Sequence, residues 1–147
     1  MSKDIYHQAV INALEKEDWT ITDDPLYIRF LDADLKIDLG AERIIAAEKG
    51  NEKIAVEIKT FLRSSLLSEF HKALGQYLDY ELALKYKQPE RILYLAVPIE
   101  AYESFFMSQF GKFATNHYKL NLVIYEPESE VILEWLPWKD TEKASKN

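Results

Sequence analysis

The sequence predicts a mixed α/β fold in which one mixed β-sheet is flanked by helices. Three observations predict it. Helical and strand periodicities succeed one another along the 147 residues in the order α-β-β-β-α-β-α-β-β. Two adjacent strand-like runs, 36–47 and 53–60, are joined by the turn-rich Glu48-Lys49-Gly50-Asn51-Glu52. A long amphipathic stretch then leads into Arg91-Ile92-Leu93-Tyr94-Leu95-Ala96-Val97, a nearly continuous apolar run of the kind a doubly covered strand shows. A helix-length connection between the second hairpin strand and that run calls for parallel pairing of the two.

The elements follow in order. Residues 4–18 place Ile5, Ala9, Ile11 or Asn12, Leu14 and Trp19 at roughly three-to-four spacing, which predicts a helix. Thr22-Asp23-Asp24-Pro25 breaks the chain, because Pro25 forces its predecessor out of helical geometry. Leu26 to Phe30 reads as a short strand and 31–35 as a polar connection. The 36–47 strand carries Gly40, a candidate bulge. After a loop over 61–67, Ser68 is placed to cap a helix to Lys87, with Phe70, Ala73, Leu74, Tyr77, Leu78 and Leu82 as its buried stripe. Pro89 closes it. One helix over 99–118 is expected to bury Phe105, Phe106, Phe110 and Phe113. Residues 120–125 and 130–135 read as two final strands around Pro127-Glu128-Ser129, and 139–147 as a polar tail after a single domain over 1–138.

Composition narrows the function classes. The chain is long enough for one domain with a real core, and its 48% hydrophobic and 29% charged residues are those of a folded protein. It has no cysteine, which excludes disulfides and thiolate metal sites. The three histidines, at 7, 71 and 117, lack zinc-ligand spacing. No apolar run approaches the ~20 residues of a membrane span, and the N-terminus lacks a signal-peptide layout, so a cytoplasmic protein with no membrane partner is expected. Nine Tyr, seven Phe and three Trp supply core or interface, and Trp135 and Trp138 suggest a protein contact, with self-association into a homo-oligomer open. The net charge of −7 argues against strong nonspecific DNA binding by the isolated chain.

One constellation can do chemistry. On a strand, residues two apart share a face, so Glu57 and Lys59 project together while Val56 and Ile58 point the other way. A second carboxylate on the neighbouring strand would complete a divalent-metal site, with Asp38 and Glu57 as hard oxygen ligands and the Ile58 main-chain carbonyl as a third. Such an ion, Mg²⁺ or Mn²⁺, lowers the pKa of a bound water and neutralises a phosphate. Lys59 would orient the attacking water or meet transition-state charge. The hairpin register decides which acid joins Glu57. A turn at Glu48-Lys49 sets position 38 across from 59 and favours Asp38; a turn at Gly50-Asn51 sets 42 there and favours Glu42. Gln76, sharing a helix face with Lys72 and Tyr80, is the next candidate. Gly75 beside it costs a helix about 1 kcal/mol relative to Ala and is expected to allow close approach to the sheet. His7 and Glu15 on the first helix are further alternates for the metal site. No Gly-rich phosphate loop or Ser-His-Asp order is present, and Ser64 and Ser65 read as loop residues.

In Asp38, Glu57-Ile58-Lys59 and Gln76 the chain resembles the PD-(D/E)xK restriction-endonuclease-like superfamily, although Ile37 stands where the superfamily's name has a proline. Over roughly residues 3–138 it resembles, more narrowly, the XisH family, the fdxN element excision controlling factors of cyanobacteria. The carrying segments are Thr22-Asp23-Asp24-Pro25-Leu26, Ile37-Asp38-Leu39-Gly40-Ala41-Glu42, Ala46-Ala47-Glu48-Lys49-Gly50, Lys53-Ile54-Ala55-Val56-Glu57-Ile58-Lys59, Ala73-Leu74-Gly75-Gln76-Tyr77 and Arg91 to Val97. The resemblance implies a restriction-endonuclease-like fold and a part in programmed DNA excision during heterocyst differentiation. It implies as partners DNA, site-specific recombinase machinery and a small XisI-like companion protein. It further implies Asp38 and Glu57 as Mg²⁺ ligands, Lys59 as catalytic lysine and Gln76 as the helix glutamine of an endodeoxyribonuclease. A catalytically idle nuclease fold with a regulatory binding role, or one half of a toxin-like pair, is the alternative.

Overall fold

The computed structural model describes residues 2–46, 50–62 and 65–138. The elements are α1 (Ser2–Lys16), β1 (Thr20–Asp23), β2 (Leu26–Phe30), β3 (Ala33–Ile37), β4 (Leu39–Ala46), β5 (Gly50–Ile58), α2 (Leu66–Lys87), β6 (Arg91–Pro98), α3 (Ile99–Ala101), α4 (Gln109–His117), β7 (Leu122–Glu126) and β8 (Val131–Leu136). The fold is mixed α/β. Its main sheet has six strands in the order β1-β4-β5-β6-β7-β8, with β5-β6 and β6-β7 parallel and the other pairs antiparallel. The expected parallel crossover through α2 is present. The predicted turn at Glu48-Lys49, Ser64 and the polar tail 139–147 lie outside the described residues.

Strand alternation builds two apolar layers. Ile54 and Val56 join Val10 and Leu14 of α1, Leu39, Ala41, Ala96, Val123 and Tyr125 on one face. Ala55 faces the other way, into a layer formed by Phe70, Ala73, Tyr77 and Leu84 of α2 with Leu93, Leu95, Leu122 and Ile124. The Tyr77 hydroxyl ties α2 to the sheet by donating to the Leu93 carbonyl at 3.2 Å and accepting from the Asn121 N–H at 3.0 Å.

The front of the chain departs from the sequence reading. Thr20–Asp23 is a strand at the sheet edge, and 33–37 is a strand where a polar connection was expected. β2 and β3 pair with each other as a separate two-stranded sheet over the α2 layer, so the early strands divide between two sheets. The expected 36–47 strand is split at Asp38. Ile37 packs with α2 and Leu39 with α1, while the Asp38 N–H turns to a side chain instead of a ladder partner. Gly40 does not interrupt the β4–β5 ladder; the irregularities lie between Ile21 and Asp23 on β1 and between Ile44 and Ala46 on β4. A Cβ at Gly40 would approach Asp23 Oδ2 at 2.9 Å and Arg91 Nη1 at 3.2 Å, so glycine there leaves room for an Asp23–Arg91 ion pair.

The helices differ in detail too. Ser65, not Ser68, caps α2: its side chain accepts from the Ser68 N–H at 3.2 Å. The 99–118 helix is broken into α3, a π-turn over Tyr102–Phe106 and α4, which Ser108 caps by accepting from the Gly111 N–H. Four residues expected in the core are exposed instead. Leu78 and Leu82 of α2 are 39% and 50% exposed, and Phe110 and Phe113 of α4 are 55% and 77% exposed.

Gly75 makes no close approach to the sheet, since a Cβ there meets nothing within 4 Å. Gly75→Ala should therefore stabilise the fold by about 1 kcal/mol through helix propensity alone. At Gly111 an added Cβ would overlap the Phe105 carbonyl oxygen, so Gly111→Ala should destabilise by about 1–3 kcal/mol. Urea unfolding of the two variants checks the opposite signs.

Candidate functional site

Glu57 is the buried charged residue of the core, 4% exposed, and among the described residues no other charged side chain is so deeply enclosed. Its place follows from the strand. β5 is central, flanked by β4 and β6, and alternation sends Glu57 toward the α2 layer with Ala55. A carboxylate there must be paired. Glu57 Oε1 accepts from the Asp38 N–H at 3.2 Å, and Oε2 lies 3.3 Å from Lys59 Nζ. Asp38 Oδ2 in turn accepts from the Ile58 N–H at 2.8 Å. The two segments thus hold each other reciprocally, backbone of one to carboxylate of the other.

Neither predicted hairpin register occurs. The ladder runs Leu39↔Val56, Gly40↔Ala55 and Ala41↔Ile54, so position 38 falls beside 57 rather than across from 59. The Ile44–Ala46 irregularity, with Ala46 opposite Gly50, sets this count. Glu42 lies opposite Lys53 and pairs with it at 3.5 Å, away from Glu57. The structure thus brings together Asp38, Glu57, Ile58 and Lys59, and leaves Glu42 out. The alternates on α1 are not joined to the carboxylates: His7 Nε2 hydrogen-bonds Asp24 Oδ1 at 2.8 Å, and Glu15 is exposed. Trp135, expected at an external contact, packs inward against Trp19 and Tyr94 and donates from Nε1 to Glu17.

The electrostatics follow from burial. Loss of solvent and the adjacent Asp38 push the Glu57 carboxyl up from 4.5 to about 7, with Lys59 and the Asp38 N–H partly offsetting them. On α2, Tyr80 is 8% exposed, and burial followed by the fields of Glu57 and Asp38 raises its hydroxyl to about 12. Tyr80 is a neighbour of the pair that sequence reasoning placed only on the Gln76 face, and the i+4 spacing was the one signal for it. Gln76 is half-buried with its Oε1 enclosed and without a hydrogen-bond partner. Among the described residues no hydrogen bond joins it to Asp38, Glu57 or Lys59.

Two adjacent carboxylates with one ammonium leave an excess of negative charge, and a divalent cation is the group that would neutralise it. The donors are hard oxygens, and no three His, Cys, Asp or Glu side chains cluster as a closed cage among the described residues. That set fits Mg²⁺, which takes one or two carboxylates and keeps several waters. It does not fit zinc.

A family model described as XisH protein matches residues 1–133. Two solved structures are similar to the chain. An XisH family protein from Nostoc punctiforme PCC 73102 is 49% identical with a TM-score of 0.82, over 90% of this chain and 98% of that one. A fdxN element excision controlling factor protein from Anabaena variabilis is 44% identical with a TM-score of 0.83, again over 90% and 98%. No curated protein matches the chain.

The raised Glu57 pKa has a definite sign. Without metal, the folded state holds a proton on Glu57 between pH 4.5 and about 7 that the unfolded chain has released. Stability from this group is complete below pH 4.5 and is lost as pH rises through 7, a loss on the order of 3 kcal/mol. Glu57→Gln should flatten that fall and be more stable than wild type at pH 8, measured by urea unfolding in chelator.

Proposed function

The chain belongs to the XisH family, and from that membership we propose that it is an excision controlling factor of the fdxN-element kind, acting on DNA through a Mg²⁺-dependent nuclease-type site. The observation that carries the reading is the interlocked Asp38–Glu57 pair with Lys59 Nζ 3.3 Å from the buried carboxylate. Asp38 and Glu57, with the Ile58 main-chain carbonyl beside them, would hold Mg²⁺ or Mn²⁺. When bound, that ion supplies Lewis-acid charge at a scissile phosphate. The arrangement is compatible with a restriction-endonuclease-like fold.

The chain's own residues divide the remaining work. The Ile58 N–H fixes the Asp38 carboxylate, so its orientation does not depend on side-chain freedom. Lys59, whose side chain is 21% exposed, keeps its ammonium at the rim of the enclosure, where it can orient a water or meet charge developing on phosphate. Gln76 brings an amide whose oxygen has no protein partner to the same layer. The net charge of −7 supports dependence on a partner for the basic footprint on DNA, as a small XisI-like companion or recombinase machinery would provide. That charge also favours a second reading, a regulatory factor that binds DNA and protein without cutting.

Plasmid nicking with Mg²⁺ or Mn²⁺, with and without the companion, separates the two. Glu57→Ala and Lys59→Ala should each lower cleavage by about 100-fold or more. Calorimetric Mn²⁺ binding should be lost in Glu57→Ala and retained in Lys59→Ala. Identical behaviour of wild type and Glu57→Ala under every metal and partner condition would leave only the binding role.

A further inference from the structure

Strand β6 is flanked unequally. β5 pairs with it from Arg91 to Ala96, whereas β7 joins it only at Leu95. On the β7 side the first residues of β6 therefore have no strand beside them, and Arg91, Ile92, Leu93 and Tyr94 all line a cavity there. Its volume of about 680 Å³ is that of a small-molecule site. Leu84 of α2, Pro89 and the Pro137-Trp138 segment after β8 complete largely apolar walls. Asn121 fixes the last of these: its Oδ1 accepts from the Trp138 N–H at 2.9 Å, and its Nδ2 donates to the Leu93 carbonyl at 3.1 Å. The cavity is separate from the carboxylate pair, because Glu57 stands beside Leu95 on the β5 flank of β6.

Three N–H donors on these walls lack acceptors. Leu95 gives its N–H to the Asn121 carbonyl on the β7 side, so alternation turns the Leu93 N–H and carbonyl to that side as well. The Leu93 carbonyl is engaged by Tyr77 and Asn121. Its N–H, on a residue only 4% exposed, makes no hydrogen bond among the described residues. The ammoniums of Lys85 and Lys119 rest over the rings of Tyr86 and Trp138, at 5.8 and 5.1 Å. Neither forms an ion pair among the described residues. Arg91 is already engaged by Asp23, Gln88 and the Ile54 carbonyl. Glu81 is the one acid among the described lining residues, raised by burial while Lys119 and Lys85 pull it down. Two lysines against one acid leave the wall positive, in a chain whose net charge is −7. We propose that this cavity binds a small organic anion, a carboxylate carrying a flat apolar body. The carboxylate answers the Leu93 N–H and the two ammoniums, and its ring lies against the proline and indole walls. A neutral apolar molecule would leave those donors unmet, and a cation would face the lysines.

Titration of the full chain, followed by amide chemical shifts, tests this with naphthoate as the probe. Naphthylmethanol and naphthylmethylamine serve as its neutral and cationic counterparts. Naphthoate should move the Leu93, Lys119 and Asn121 amides and bind about 10-fold or more tightly than the alcohol, while the amine leaves these amides unmoved. Lys85→Gln combined with Lys119→Gln, both at exposed positions, should weaken naphthoate about 10-fold and keep the amide spectrum of the folded chain. Lys112→Gln, an exposed lysine away from the cavity, should bind naphthoate like wild type. Equal affinity for the three probes, shifts centred elsewhere, or no binding at millimolar naphthoate would overturn the proposal. So would a double variant that binds like wild type, or a Lys112→Gln variant weakened as much as the double one.

Discussion

The reciprocal hydrogen bonding of Asp38 with Glu57 and Ile58 is the point on which the front half of the fold turns. A carboxylate on the inner face of a central strand is costly unless each oxygen finds a partner. Here one partner is a backbone N–H, and to supply it the chain must leave the β-ladder at residue 38. That departure ends β3 and begins β4. It lets Ile37 serve the α2 layer and Leu39 the α1 layer, and it frees the β2–β3 hairpin to sit apart from the main sheet. A single polar requirement thus accounts for a strand break, a change of layer and a second small sheet.

What the sequence made legible was what depends on local pattern. Alternation in 54–58 assigned Val56 and Glu57 to opposite faces, and the apolar run from Arg91 to Val97 marked the inner parallel strand. The register of β4 on β5 was not legible, because it rests on an irregularity between Ile44 and Ala46 that no residue type announces. The 31–35 segment read as polar because Asp32 and Asp34 face solvent, while Ile37 is buried in the core and Leu35 packs against it only in part. Phe110 and Phe113 were assigned to the core by residue type. Their exposure follows from the π-turn over Tyr102–Phe106 and the Ser108 cap, which reset the helical phase before α4 begins.

Helix α2 shows how one element serves several ends. Its inner face is nailed to β6 by the Tyr77 hydroxyl, which engages Leu93 and Asn121 together. With the axis fixed, the flanks are fixed as well, since 100° steps leave no freedom to rotate one flank without the other. Tyr80 therefore lies in the field of the carboxylates for the same reason that Leu78 lies in solvent. The Arg91 guanidinium does similar work at the far end of the sheet, joining the Ile54 carbonyl, Asp23 and Gln88 in one cluster. It links the edge strand β1 to the central strand β5.

Asp38 and Glu57 stand at the root of the β4–β5 hairpin, and the whole excursion of the chain between them runs away from the pair and back. Residues inserted or deleted in matched numbers on the two arms would lengthen or shorten the hairpin and leave its root untouched. An unmatched change would slip one arm past the other and reverse which side chains meet the inner layer. The hairpin can therefore drift in length through divergence, by steps of two, while the chemistry at its base is inherited unchanged.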